Sequence, residues 1–327
     1  MIRIAQLGAG RMGALHARNA ARHPDLELAV IVDPRVEPAG ALAAETGAVV
    51  ADFDAVLADD SIRGVIIASS TDQHLDHTLR ALSAGKAVFC EKPLDLSLAT
   101  LEARADEFRA AAPRLFVAFN RRFDLHFRAL KAKLDIGAVG RLECLHLISH
   151  DPAAPPPGFV PTSGGLFKDF TIHDFDTARW LMDEEPTEVF AWGHCLVDPA
   201  IGEAGDIDTA KVVLRTASGR LCTISNTRRS GYGYDQRVEA YGSQGAAMVA
   251  NVTRDAVSVW SAGGAGASPF PYAFMDRYAD AYAAEMDHFA RILEGETPST
   301  GYEASVRSLA LAEAAARSLE TNSVVKL

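Results

Sequence analysis

Residues 1–33 read MIRIAQLGAGRMGALHARNAARHPDLELAVIVD, and this stretch decides the fold. The apolar run IRIAQL is strand-length and ends on Gly8-Ala9-Gly10-Arg11-Met12-Gly13; a helical pattern follows over about 12–22, and a second apolar run closes on Asp33. Strand, glycine turn, helix and strand make one crossover unit of a parallel sheet. In G-x-G-x-x-G, Gly8 permits the tight turn, Gly10 lets the backbone approach a pyrophosphate, and Gly13 lets helix and strand pack closely. Arg11 and Met12 fill the first helical turn, whose positive end attracts phosphate. Asp33, twenty residues past Gly13, suits the hydroxyls of an adenosine ribose, and its charge repels a 2′-phosphate. NAD is therefore the expected cofactor, with Arg35 as the weaker argument for NADP. A plain Gly-rich turn with a surface Asp and Arg is the structural alternative.

Working outward, the apolar runs AVV, GVIIAS, KAVFC and LFVAF continue the rhythm to about residue 119, with helical patterns near 36–45, 73–84 and 97–111. This predicts a doubly wound parallel sheet, the Rossmann arrangement. Past Phe119 come a helix near 123–135, a strand near 140–150, and DPAAPPPGFVPTSGG (151–165), whose Pro and Gly content is loop chemistry. A helix over 170–182 and strands from 186 to 260, turning at TASGR and YGSQG, predict an α+β region with a large, open, mostly antiparallel sheet. SAGGAGASPFP (261–271) reads as a mobile loop, and helices are expected over 276–294 and 303–319. The expected domains are 1–119 and 120–327, with the 303–319 helix able to pack back on the first.

With 327 residues the chain exceeds one ordinary core, which agrees with two domains. A net charge of −11 with scattered Lys and Arg leaves no basic footprint for nucleic acid. No apolar run reaches membrane-spanning length and the first residues lack signal-peptide zones, so the expectation is a cytoplasmic protein. Cys90, Cys144, Cys195 and Cys222 stand far apart, without metal-site spacing, and read as reduced core thiols. No metal is implied.

Two places carry candidate chemistry. Lys92, in Glu91-Lys92-Pro93, follows the fifth apolar run, at the strand end where open sheets bind ligands. Read alone, it is equally a surface lysine. Asp169 and His173, four residues apart at a helix start, share one face, so the carboxylate could orient the imidazole. Asp169 as a simple cap and His173 as a satisfied surface residue fit that segment as well. Oxidation of a secondary alcohol needs a base for the hydroxyl proton and a cation near the oxygen, and Lys92 and His173 could supply both. Arg228-Arg229 reads as a solvated strand or turn face, with phosphate-bearing substrates left open.

GAGRMG, the strand-end Asp33, STDQH (70–74), Glu91-Lys92-Pro93 and the Asp169–His173 helix start together resemble the glucose-fructose oxidoreductase and inositol dehydrogenase family, across essentially the whole chain. Asn120-Arg121-Arg122-Phe123-Asp124, His150-Asp151-Pro152, DFTIHDFDTARWL and Tyr232-Gly233-Tyr234-Asp235 narrow the resemblance to its bacterial inositol 2-dehydrogenases. The resemblance implies NAD-dependent oxidation of a cyclic polyol, myo-inositol first. It implies a catalytic set of Lys92, Asp169 and His173, and substrate contacts at Lys92, Asn120, Asp151, Asp169, His173 and Tyr234. It places Ser70, Thr71, His74, Glu91 and Lys92 on the cofactor side; Ser70 departs from a Pro common in relatives, which loosens the geometry expected at Thr71 and His74. A cis Lys92-Pro93 bond and a homotetramer are further implications. A scyllo-inositol or aldose dehydrogenase, a non-catalytic dinucleotide-binding regulator and an NAD-retaining glycosidase are the rivals.

Overall fold

All six apolar runs of the N-terminal part form strands in the computed structural model, which describes residues 1–156 and 158–327. Pro157, within the segment read as loop, lies outside the described residues. The chain divides into two units, Met1–Phe123 with Asp280–Leu309, and Asp124–Ala279 with Ala310–Leu327. The first unit thus takes a C-terminal segment that a linear reading assigns to the second domain.

In the first unit, β1 (Ile2–Leu7), β2 (Leu26–Val32), β3 (Val49–Val50), β4 (Ile62–Ile67), β5 (Ala87–Glu91) and β6 (Leu115–Ala118) form one sheet in the order β3-β2-β1-β4-β5-β6. Every pairing is parallel. Near-continuous Val, Ile and Phe suit strands buried on both faces, as crossover helices require. Helices Arg11–Arg22, Val36–Thr46 and His74–Ser83 stand where the periodicity predicts; the pattern over 97–111 resolves into Leu98–Ala103 and Ala105–Ala110, and a short helix Phe53–Ala58 is additional. Ile4, Ile31, Ile66, Phe89 and Phe116 form the core with Met286, Phe289, Ile292 and Leu293 of helix Ala279–Leu293. The strand order reverses between β1 and β4, so the carboxyl ends there form the crevice where such sheets bind ligands.

The second unit is built on β7 (Leu142–His150), β8 (Pro186–His194), β9 (Thr209–Thr216), β10 (Leu221–Thr227), β11 (Asp235–Gly242) and β12 (Gly245–Val249). Alternation is clean: in β9, Ala210, Val212, Leu214 and Thr216 are buried, while Lys211, Val213 and Arg215 face out. The sheet order is β12-β11-β7-β10-β9-β8, extended at its edge by a two-residue C-terminal strand that pairs with β8 and has no counterpart in the sequence reading. The sheet is mostly antiparallel, as expected, with one parallel pair, β7 and β10. Helix Ile172–Met182, β8 and β9 intervene between them, so β10 returns in the sense of β7. That helix buries Ile172, Phe175, Ala178, Leu181 and Met182.

The loop reading of 261–271 is corrected by the structure. Ser258–Ser261 and Gly264–Ala267 pair as an antiparallel hairpin instead of a loop. Its base is closed by Asp255, which accepts the Val257 N–H at 2.9 Å and the Ser268 hydroxyl at 2.9 Å. Gly and Ala carry no side-chain signal, yet their backbone groups pair like any others. A short helix Val160–Ser163 also lies in the segment read wholly as loop. The tail helices are Phe274–Arg277, Ala279–Leu293 and Tyr302–Thr321. Among the described residues no helix is long and apolar enough to cross a membrane.

Candidate active site

In the first unit the glycine turn is built as its spacing predicts. Gly8 holds φ +94°, and a Cβ there would fall 2.3 Å from the Ala68 carbonyl oxygen; one on Gly13 would fall 2.0 Å from that of Gly8. Both contacts are impossible, so only glycine lets β1, β4 and helix Arg11–Arg22 meet this closely. Nothing lies within 4 Å of a Cβ on Gly10, and the helix starts there with no side-chain cap. Arg11 and Met12 sit in the first turn. Gln6, fully buried and missed in the sequence, donates from Nε2 to the carbonyls of Leu7 (3.1 Å) and Gly8 (3.3 Å). An uncapped helix start behind an unobstructed glycine fits a dinucleotide pyrophosphate.

Asp33 is already engaged. Its Oδ1 accepts the Arg35 backbone N–H at 2.8 Å and Nε at 3.0 Å; its Oδ2 accepts the Ala9 N–H at 2.7 Å and Arg35 Nη2 at 3.0 Å. The Arg35 hydrogen bonds, aided by those from backbone N–H groups against the opposing effect of burial, lower its pKa to about 2. The carboxylate stays charged throughout the neutral range. A hydroxyl bound at Asp33 would have to displace the exposed Arg35 arm, while the two backbone N–H groups hold the carboxylate in place. Asp33→Ala is expected to raise the KM for NAD about 10- to 100-fold, the worth of hydrogen bonds to one charged group. NADP should gain relative to NAD in the same steady-state comparison; an unchanged ratio would remove Asp33 from cofactor choice.

Lys92 leaves β5 half-buried, and its bond to Pro93 is cis. The residues around it are locked. His74 is buried at the start of its helix, with Nδ1 2.8 Å from the Pro93 carbonyl oxygen and Nε2 3.2 Å from that of Ser69. Burial lowers its pKa despite those contacts, so the neutral ring donates through one nitrogen, the shorter contact favouring Nδ1. Ser70 and Thr71 form the short turn leading into it. Glu91 is buried with Oε1 2.6 Å from His16 Nε2, and its Oε2 accepts the Lys92 backbone N–H at 3.3 Å. Burial works to raise the Glu91 pKa, but the His16 hydrogen bond and the nearby positive charges outweigh it. Asn120 lies buried in the turn Asn120–Phe123, just past β6.

Glu285, absent from the sequence reading, is fully buried on helix Ala279–Leu293, and among the described residues neither carboxyl oxygen has a hydrogen-bond partner. Burial, reinforced by the charge of Glu91, pushes its pKa well above the ordinary value. A raised carboxyl pKa costs no stability below the unfolded-state value; the cost grows as pH rises above it, by about 1.4 kcal/mol per unit, until the folded-state value is reached. Glu285→Gln should therefore melt like the parent near pH 4 and be the more stable of the two at pH 8. Thermal melts across that range check it, and a gap independent of pH would contradict a neutral Glu285.

In the second unit, the Asp169 turn is a π-helix, Phe167–Thr171, continuing into Ile172–Met182. Such turns concentrate at functional sites. A polar seam holds it: Ser149 of β7 pairs with Gln236 of β11 and with Asn226 of β10, all three buried. The Ser149 hydroxyl donates to Asp174 Oδ1 at 2.6 Å, Asn226 Nδ2 donates to Asp174 Oδ2 at 2.8 Å, and the Thr171 hydroxyl donates to Asn226 Oδ1 at 2.7 Å. His173 is thereby set between buried Ile172 and Asp174, and its carbonyl accepts the Thr177 hydroxyl at 2.7 Å.

Asp151 and Asp169 are brought together by a residue read as solvated. Arg228 is buried; Nη1 donates to Asp151 Oδ2 and Nη2 to Asp169 Oδ2, each at 2.8 Å, and its Cζ lies 4.8 Å from the Phe170 ring centroid. That corrects the solvated reading for Arg228, whereas Arg229 is exposed as read. The signal was available: Cys222, Ile224, Asn226 and Arg228 alternate along β10 and its end, all on the buried face. Tyr234 is buried, with its backbone N–H on the Pro271 carbonyl (2.9 Å) and its ring edge-on to Tyr278 at 5.9 Å. All four cysteines are free; burial pushes Cys90 up to about 12 and Cys222 well above the ordinary thiol value, so neither is a nucleophile near neutrality.

Comparison with known proteins covers both units. Residues 2–119 match the oxidoreductase family with an NAD-binding Rossmann fold, and residues 127–248 match the GFO/IDH/MocA C-terminal domain. The chain is 42% identical to an inositol 2-dehydrogenase of Rhizobium meliloti, covering 97% of each chain. It is 42% identical to a myo-inositol 2-dehydrogenase of Thermotoga maritima, covering 100% of this chain and 98% of that one. The crystal structure of a myo-inositol dehydrogenase from Corynebacterium glutamicum matches with a TM-score of 0.95 at 41% identity, covering 100% of this chain and 99% of that one.

Proposed function

The chain belongs to the GFO/IDH/MocA family of NAD-binding oxidoreductases, and on that premise we propose that it oxidises myo-inositol to 2-keto-myo-inositol. The observation that carries this reading is the 42% identity, over nearly the whole chain, to two proteins named for that reaction. The site chemistry supports it. When bound, NAD supplies the hydride acceptor. His173 takes the proton of the ring hydroxyl; Asp169 assists from the preceding turn; Lys92 holds the reacting oxygen and stabilises its developing negative charge. Asn120, Asp151 and Tyr234 bind the remaining hydroxyls. Thr71, with His74 and Glu91, serves the nicotinamide side.

Two carboxylates on one guanidinium leave the Asp151–Arg228–Asp169 group with one excess negative charge. Neutral polyols, which donate hydroxyl protons to carboxylates, suit it; phosphate-bearing substrates do not. A panel of inositols, inositol phosphates and aldoses with NAD and NADP, followed by absorbance of the reduced nicotinamide, tests the assignment. The fastest rate is expected with myo-inositol and NAD, and no reduction with any inositol would overturn it.

The proposed setting is the cytoplasm, where NAD is abundant and free thiols persist. The proposed assembly is a homotetramer built on the outer face of the second-unit sheet, which exposes Trp192, Val213, Leu221, Tyr241 and Met248. Light scattering of the purified chain reads that state directly.

A further inference from the structure

Resting on the inositol dehydrogenase reading, we propose that Arg228 is a positioning residue of the reaction, a clamp that fixes Asp151 and Asp169 relative to each other. Asp151 follows β7 and Asp169 lies in the π turn, with the Pro- and Gly-rich stretch between them. Left to themselves, two carboxylates repel and would drift apart. One guanidinium fork prevents this, with one terminal nitrogen on each carboxylate at 2.8 Å. Both contacts fall on the Oδ2 atoms of the two carboxylates.

The fork is itself immobilised from three directions. The Phe170 ring lies against the guanidinium, so the residue after Asp169 grips the cation that Asp169 pairs with. The Arg228 backbone N–H donates to the Asp208 carbonyl at 2.9 Å, and the Asp151 N–H donates to the Thr227 carbonyl at 2.9 Å, tying Asp151 to the residue before Arg228. The Asp208 carboxylate in turn accepts the N–H groups of Leu196, Val197 and Asp198 at 2.7–2.9 Å. Burial opposes the charge on Arg228, but the two carboxylates outweigh it and keep the guanidinium permanently cationic. A lysine could keep the charge at this depth but not the two-armed geometry, since its ammonium is a point charge on a flexible stem.

The test compares wild type, Arg228→Lys and Arg228→Ala in one assay, reading kcat and the KM for myo-inositol, the Kd for NAD and the melting temperature. Arg228→Lys is expected to lose about 100-fold in kcat/KM, the penalty for misplacing reacting groups by about 1 Å, while NAD affinity holds. Arg228→Ala should lose more and recover part of its kcat on addition of guanidinium chloride, but not of sodium chloride at equal ionic strength. A merely structural role would lower the melting temperature without that ion-specific recovery. If Arg228→Ala does not fold, Arg228→Lys, which keeps a buried cation, decides alone. Wild-type kinetics in Arg228→Lys, or a folded Arg228→Ala that guanidinium does not revive, would overturn the clamp. A wild type for which no polyol supports NAD reduction would overturn the dehydrogenase reading and the clamp with it, whereas an active wild type beside an equally active Arg228→Lys overturns the clamp alone.

Discussion

His173→Ala lowers kcat about 10²- to 10⁴-fold while the Kd for NAD stays near that of the parent, the loss expected on removing a general base. The local structure makes this a clean experiment. His173 stands in the first turn of Ile172–Met182, flanked by buried Ile172 and by Asp174, whose carboxylate is held by Ser149 and Asn226. Alanine is the best helix former, and the contact His173 gives to Thr177 runs through its backbone carbonyl, which survives the change. The fold should persist, so lost rate reports lost chemistry. Steady-state turnover and a fluorescence titration with NAD measure the two quantities. Near-normal turnover would remove His173 from proton transfer.

Lys92→Met is expected to lower kcat about 10²- to 10³-fold, the cost of deleting one donor to a developing oxyanion. Methionine keeps most of the side-chain length and removes only the charge. The Lys92 N–H still donates to Glu91 and the Pro93 carbonyl still meets His74, since the substitution alters neither group. The double variant gives the sharper reading. If His173 and Lys92 act on one hydroxyl, their losses will not multiply, because the second removal acts on a site already disabled. Multiplicative losses would mean independent roles. A Lys92→Met enzyme at full rate would return this residue to the surface-lysine reading.

The first unit was readable because its signals are local. IRIAQL and KAVFC are strands by their own composition, and Gly8 and Gly13 declare a close backbone approach through residue type alone. Asp33 was legible by spacing; its engagement by Arg35 was not, since an arginine two residues away reads equally as a phosphate ligand. Non-local facts stayed hidden. The parallel pairing of β7 with β10 depends on everything between them, and no window of sequence contains it.

At the site, Asp169 and His173 were visible as a helical pair, but the π turn beneath them was not, because it is held by Asn226 from a distant strand. Arg228 was misread for a different reason. Paired with Arg229 near glycines and a tyrosine it looks like a turn, whereas the alternation of β10 places it inward beside Asn226. Glu285 shows the limit of the same reasoning: nothing in AAEMDHF marks one glutamate as buried without a partner.

The central claim is hydride transfer from the polyol ring to NAD, and myo-inositol deuterated at C2 tests it most directly. Incubated with NAD and the purified chain, the labelled substrate should yield reduced nicotinamide carrying deuterium at C4 of its ring, formed more slowly than from unlabelled substrate when the chemical step limits turnover. Reduced nicotinamide without the label, or none at all, would contradict the account.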